Sequence, residues 1–384
     1  MHTVLIAERL LTPREVIDHP AVFIEDGFIQ QIAPRAGIEI PTAADVLDYA
    51  GHTLVPAFLD VHTHGAAGHD IMEATSEAMA AVGRFLAGHG VGSYLATTVT
   101  APIDATLRAL DGLADSIETP TNEEATPVGI HLEGPFVSHA KRGVHPPASI
   151  REPSITLFDQ LWQAARGHIR LITIAPELPN ALEVIEHATR LGVRVSLGHS
   201  DATAQEALAG IAAGAVSATH TFNAMRALDH REPGILGVAL DRDDLYAELI
   251  CDGIHVAPEL VRLWLKSKGG ARAMLVTDSI SATGMPDGAY MLGDLSVKVA
   301  NGRATCDGAL AGSVLTMDRA LRNLIDFTRA GLQTASRLAS TNAAAMLGLE
   351  STHGLIAAGR RANIAVLAPD GALVATLLNG RTRR

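Results

Sequence analysis

Two histidines one residue apart, His62 and His64, close the apolar run FLDVHTH at 58–64. On a β-strand, residues i and i+2 project from one face, so both imidazoles point the same way. The spacing recurs at His131-Leu132-Glu133, where it sets a carboxylate inward. His199 lies at the end of VRVSLGHSD (193–201), His220 near the end of AVSATHTFN (215–223), and Asp278 near the end of RAMLVTDSIS (272–281). Singly, the HxH pair could be two loop histidines, and each other residue a strand-end cap or a hydrogen-bonded core group. For an isolated histidine that plain reading is the better one. Five runs that each place His, Glu or Asp at the same end argue otherwise. Gathering such groups without a cation would cost several kcal/mol in unpaired polar atoms, and a divalent cation reverses the sign. Imidazoles with carboxylates suit zinc or iron(II), and the lack of cysteine ligands disfavours a structural zinc.

Competing chemistries are weak. Gly198-His199-Ser200-Asp201-Ala202 misses a GxSxG nucleophile elbow at its last residue. Cys251 sits inside an apolar run and reads as a small core residue. Gly88-His89-Gly90-Val91-Gly92 precedes a strand, so it reads as a helix stop and not as a phosphate loop.

The elements that must position these residues alternate regularly. The remaining strand-like runs are YLATTVT (94–100), VGIHLEG (128–134), IRLITIAPE (169–177) and YAELICDGIHV (246–256), making eight in all. Helical spacing fills 76–88, 103–117, 154–166, 180–191, 203–213 and 257–268. Eight such units predict an α/β fold, a (β/α)8 barrel whose sites lie at the C-terminal strand ends. An open doubly wound sheet is the alternative, but HGAAGHD after the first run is no dinucleotide or phosphate fingerprint. The 224–245 connection is irregular with a break at Pro233-Gly234, and a strand-like excursion at 290–305 precedes helices at about 313–330 and 332–347. Residues 1–54 and 354–384 read as short strands, too few at either end for a core of their own. Pairing them predicts one small β-sandwich domain, with the catalytic barrel, 55–353, inserted between.

The 384 residues are 47% hydrophobic and 19% charged, an ordinary globular balance. The formal charge of −12 argues against a nucleic-acid surface while leaving room for a local basic pocket. Two cysteines cannot build a disulfide framework. With no apolar run of 18 residues and no basic-then-apolar start, neither a membrane span nor a secretory leader is expected, and a cytoplasmic setting is.

These motifs resemble the amidohydrolase superfamily and, within it, the N-acetylglucosamine-6-phosphate deacetylase family. The matching stretches are PAFLDVHTHG (56–65), HLEGPFVSHAKRGVH (131–145), LGHSDA (197–202), THTFNAMRALDHREPG (219–234), CDGIHV (251–256), VTDSISATG (276–284) and LAGSVLTMD (310–318). HLEGP with HTFNAM and REPG is specific to the family, whereas HxH marks only the superfamily. The resemblance spans nearly the whole chain, and Asn363 stands where the family more often has Asp in the closing segment, which bears on sandwich packing.

The resemblance implies hydrolytic deacetylation of a phosphorylated amino sugar with one or two divalent cations per subunit, zinc or iron(II). Glu133, His199 and His220 would bind one cation, and His62 and His64 a second bridged by Glu133. The fourth run has no lysine for the carboxylated bridge of wider relatives. Asp278 would be the catalytic acid–base and His145 the group that polarises the carbonyl. Val144, Asn223, the Ala224 backbone and an Arg231 from the neighbouring subunit of a homodimer would take the substrate and its phosphate. Asp252, Gly253, Ile254 and His255 would face sugar hydroxyls, and Leu310, Ala311 and Gly312 would wall the acetyl pocket. The galactosamine epimer, a cyclic amide, or a non-catalytic scaffold are the alternatives; the last predicts lost ligands or a lost Asp278, and none is lost.

Overall fold

The structure is a computed structural model that describes residues 2–13, 15–121 and 124–383. Eight strands lie side by side in chain order, all parallel: β1 (Phe58–Thr63), β2 (Val91–Thr98), β3 (Thr126–Glu133), β4 (Ile169–Ile174), β5 (Arg194–Leu197), β6 (Ser217–Ala218), β7 (Tyr246–Ile250) and β8 (Ala273–Val276). Their near-continuous apolar character is what a sheet covered on both faces requires: every residue of β1, β2 and β8 is buried. The ring closes just past β1 and β8, where Asp278 N donates to His62 O (2.8 Å) and His64 N to Ser279 O (2.7 Å). This is the expected (β/α)8 barrel.

Helices follow the strands and turn their apolar stripes inward. Ser76–Gly88 buries Met79, Val82 and Leu86, with the Thr75 side chain accepting Ala78 N at its start. Ala204–Ala212 opens on a capping box between Thr203 and Glu206, which satisfies two N-terminal donors and ends the His199 loop sharply.

Two elements differ from the sequence reading. The 224–245 connection contains a helix, Gly234–Asp241, with Pro233 at its N-cap. The Pro-Gly pair starts this helix, since proline lacks only a donor that the first turn leaves unpaired anyway. The 332–347 helix is interrupted by a π turn at Arg337–Thr341. The excursion after β8 is a four-stranded antiparallel sheet, Gly288–Leu292, Leu295–Ala300, Arg303–Cys306 and Ala309–Leu310. It packs Leu292, Val297 and Val299 against Val99 and Ile280 at the barrel mouth.

Both chain ends enter one eight-stranded sheet. Asp45–Pro56 pairs antiparallel with Ile364–Leu367, Thr53 opposite Leu367, and parallel with His2–Leu11. Leu5, Leu10, Val22, Ile29 and Leu54 from one end share a core with Ile364, Val366 and Leu377 from the other. Asn363 Oδ1 accepts Asn379 N at 2.9 Å, a bond inside this sheet region.

Candidate metal centre and its cavity

Six side chains from the ends of five strands converge at the C-terminal mouth of the barrel. Glu133 Oε1 lies 3.2 Å from His199 Nε2, 3.1 Å from His220 Nε2 and 3.3 Å from His62 Nε2. Glu133 Oε2 is 3.2 Å from His64 Nε2, and Asp278 Oδ1 is 3.2 and 3.5 Å from His64 and His62 Nε2. Glu133 thus stands between a His199/His220 pair and a His62/His64/Asp278 group. His145 Nε2 also faces Glu133, at 3.7 Å, farther than His220.

The donor set fits divalent cations. The imidazole Nε2 atoms meet each other at 3.1 Å (His199, His220) and 3.3 Å (His62, His64). Four ligands placed tetrahedrally at ~2.0–2.1 Å from zinc stand about 3.3 Å apart. His199 Nδ1 donates to Lys141 O (3.0 Å) and His64 Nδ1 to Thr97 O (3.2 Å). A carbonyl can only accept, so a proton sits on Nδ1 and Nε2 is the ring atom turned toward the carboxylates of the centre.

The electrostatics agree. Burial opposes charge on His64, yet Asp278 and Glu133 beside it lift the imidazole to about 9. Burial would raise Asp278, but His62 and His64 bring it down to about 2. Glu133 is held well below the carboxylate range by His62, His199 and His220 against the same burial penalty. The cluster draws in positive charge. Burial, with His199 next to it, pushes His145 down to about 3, so that ring is neutral.

The backbone bends where these side chains leave the barrel. His199 (φ 47°), His220 (φ 27°) and Asp278 (φ 50°) all sit at positive φ, a region that side-chain-bearing residues rarely occupy. Such strain collects at functional sites and persists because the surrounding structure over-determines it.

Above the centre opens a cavity of about 200 Å³. Val144, His145, Asn223 and Ala224 line it together with His255, Leu310 and Gly312. His62 lies beneath, fully buried, while Ala311 is buried behind the wall. Asp252 does not line the cavity; it accepts Ile254 N and His255 N and bonds His255 Nδ1 at 2.7 Å, fixing the ring that does. Gly253 and Ile254 also lie outside the lining. Arg231 is exposed and does not line the cavity of its own chain, its backbone N–H donating to Asp229 Oδ1. Among the described residues no lysine or arginine lines this cavity. Sequence reasoning missed Val99, Gly143 and Leu292 in the wall, and Glu248 beneath it. Glu248 did leave a signal, a lone acid inside the apolar stretch YAELI.

Comparison with known proteins follows the same line. N-acetylgalactosamine-6-phosphate deacetylase of Escherichia coli O157:H7 is 38% identical over 368 residues, 96% of this chain and 95% of that protein. N-acetylglucosamine-6-phosphate deacetylase of Bacillus subtilis (strain 168) is 35% identical over 374 residues, 97% of this chain and 94% of that protein. Among solved structures, a variant of N-acetyl-D-glucosamine-6-phosphate deacetylase from Mycobacterium smegmatis, in complex with N-acetyl-D-glucosamine 6-phosphate, superposes with a TM-score of 0.93. It is 35% identical, with 99% of each chain covered. Residues 53–383 match the amidohydrolase family, and the chain belongs to that family.

Proposed function

We propose that the chain hydrolyses the acetamide of N-acetylglucosamine 6-phosphate to glucosamine 6-phosphate and acetate, using one or two divalent cations, zinc or iron(II). The observation that carries the reading is the convergence of Glu133, Asp278 and four imidazole Nε2 atoms beneath a cavity of about 200 Å³. Glu133, His199 and His220 would hold one cation, and His62 and His64, with Glu133 between, the other. When bound, a divalent cation lowers the pKa of a water to about 7 and polarises a carbonyl oxygen.

The chain's own residues do the rest. Asp278, open to the cavity, takes the proton of the attacking water and returns it to the amine nitrogen as the C–N bond breaks. His145, neutral and buried in the wall, donates an N–H to the carbonyl oxygen as negative charge develops there. The apolar side chain of Leu310, next to Gly312, receives the acetyl methyl, and His255, held by Asp252, faces the sugar. Asn223 and the Ala224 backbone meet the phosphate. A dianion in a cavity without lysine or arginine needs a cation from outside, which supports a homodimer in which Arg231 serves the neighbouring site. No helix among the described residues is long and apolar enough to cross a membrane, in keeping with a cytoplasmic enzyme.

The test is acetate release from N-acetylglucosamine 6-phosphate by metal-reconstituted and chelated protein. Metal-dependent release is expected; no release with metal bound and the fold intact overturns the reading. N-acetylgalactosamine 6-phosphate belongs in the same assay, because the 38% identical relative is named for that epimer. Faster release from it would move the substrate assignment and leave the chemistry in place.

A further inference from the structure

Glu248, on β7, is fully buried and has no part in the chemistry above. Its Oε2 lies 3.3 Å from His62 Nδ1 and accepts the His220 N–H at 3.2 Å. One oxygen therefore ties a member of the His62/His64/Asp278 group to a member of the Glu133/His199/His220 group. The bond to His220 N–H also holds that residue at its strained φ of 27°. Glu248 Oε1 has no hydrogen-bond partner among the described residues.

His62 differs from the other imidazoles of the centre in what stands behind it. His64 and His199 are backed by carbonyls, His220 Nδ1 by no partner among the described residues, and His62 by a carboxylate. A carboxylate behind a ligating imidazole fixes its tautomer and raises its basicity. Charge points the same way. Asp60, Glu133, Glu248 and Asp278 are four buried carboxylates, each in contact with His62, and among the described residues none of them pairs with a lysine or arginine. Asp60 accepts from His62 N, Thr277 N and Thr277 Oγ1, which ties the strand carrying His62 to β8. Buried carboxylates without such a partner favour a cation held close to them.

We infer that Glu248 is a positioning residue that orients His62 and supplies the charge that retains a second divalent cation. The inference rests on the metal-dependent reading above, and its test separates the two. Wild type and Glu248→Gln, stripped by chelation, are titrated with Zn(II) by calorimetry, and their melting temperatures are read with and without metal. Gln keeps the size and an acceptor for His220 N–H but removes the charge. Wild type is expected to take up two ions per chain. The variant should keep one at wild-type affinity and bind the other ~10–100-fold more weakly. Its metal-free melting temperature should match wild type, with a smaller rise on adding metal. Two unchanged sites in the variant, or a lowered metal-free melting temperature with both affinities intact, overturn the role. A single site in wild type overturns it too, and none at all sinks the metal-dependent reading with it. If Glu248→Gln fails to fold, Glu248→Asp, which withdraws the oxygen from His62, is titrated instead with the same expected weakening.

Discussion

Asp278 Oδ1 lies 3.2 Å from His64 Nε2 at the seam where the last barrel strand meets the first. The backbone repeats the contact: Asp278 N donates to His62 O at 2.8 Å, and Asp278 O accepts Ser313 N at 2.7 Å. The carboxylate is thus held by main-chain bonds on both sides while its oxygens face the cavity. Replacing Asp278 by Asn keeps the shape and removes the base. Glu133, His199 and His220 stay in place, so the variant should still bind metal, while kcat falls by at least ~100-fold, the lower scale of acid–base contributions. Turnover at the wild-type rate in metal-loaded Asp278→Asn would remove Asp278 from the mechanism.

What the sequence made legible follows from period and position. His62 with His64, and His131 with Glu133, are i, i+2 pairs at strand ends, and strand parity alone sends each pair to one face. The eight alternating runs already implied a barrel that would gather them. Glu248 escaped because a single acid within YAELI carries no spacing partner, and its role depends on β7 lying beneath His220. The helix at Gly234–Asp241 escaped because Pro-Gly punctuates a loop and a helix start alike. Arg231 shows the opposite limit: the motif containing it is local, but the cavity it was expected to serve belongs to a neighbouring subunit, and within one chain the residue is absent from the cavity lining.

That placement makes Arg231 a test of the dimer. Arg231→Ala should lose turnover on phosphorylated substrate and little on its unphosphorylated counterpart; equal loss on both contradicts a phosphate role. If the side chain acts on the neighbouring site, mixing Arg231→Ala with Asp278→Asn and allowing subunits to exchange should restore activity that neither parent has. One hybrid site then combines an intact Asp278 with an intact Arg231 from across the interface. Silence from exchanged hybrids would place Arg231 in its own subunit's site or in none.

Lys268 offers a pH-dependent measure of stability away from the metal centre. It lies on the helix Pro258–Arg272, is 6% exposed, and its Nζ donates to Arg242 O beyond the end of Gly234–Asp241. Burial pushes the amine down from 10.5 to about 8, although Asp243 and Asp244 pull the other way. Below pH 8 it is charged in both states, and the folded protein carries the full desolvation penalty. Between pH 8 and 10.5 the unfolded chain binds the extra proton, so wild-type stability rises with pH. The neutral amine still donates to the Arg242 carbonyl. The urea midpoint of wild type should therefore gain on that of Lys268→Met across this window, and a pH-independent difference would refute the assignment.

Gly312 ties backbone conformation to the acid–base residue. Its φ is 57°, and an added Cβ would stand 2.3 Å from Ile280 Cγ2 and 3.0 Å from Asp278 O, the carbonyl that Ser313 N holds. Gly302 is at φ 74° with nothing near a Cβ, so it carries the conformational penalty without the clash. A side chain at positive φ costs of order 1–3 kcal/mol, and both alanine variants should show a lowered urea midpoint on that account. The clash should add to the loss in Gly312→Ala alone. Ile280 is fully buried and Asp278 O belongs to the backbone, so neither yields easily. The displacement must then pass into the loop that carries the Asp278 carboxylate. Gly312→Ala should accordingly lower kcat, whereas Gly302→Ala should leave it unchanged. Equal turnover in the two variants would mean that Ile280 absorbs the methyl group and that Asp278 is held by the β1 seam alone.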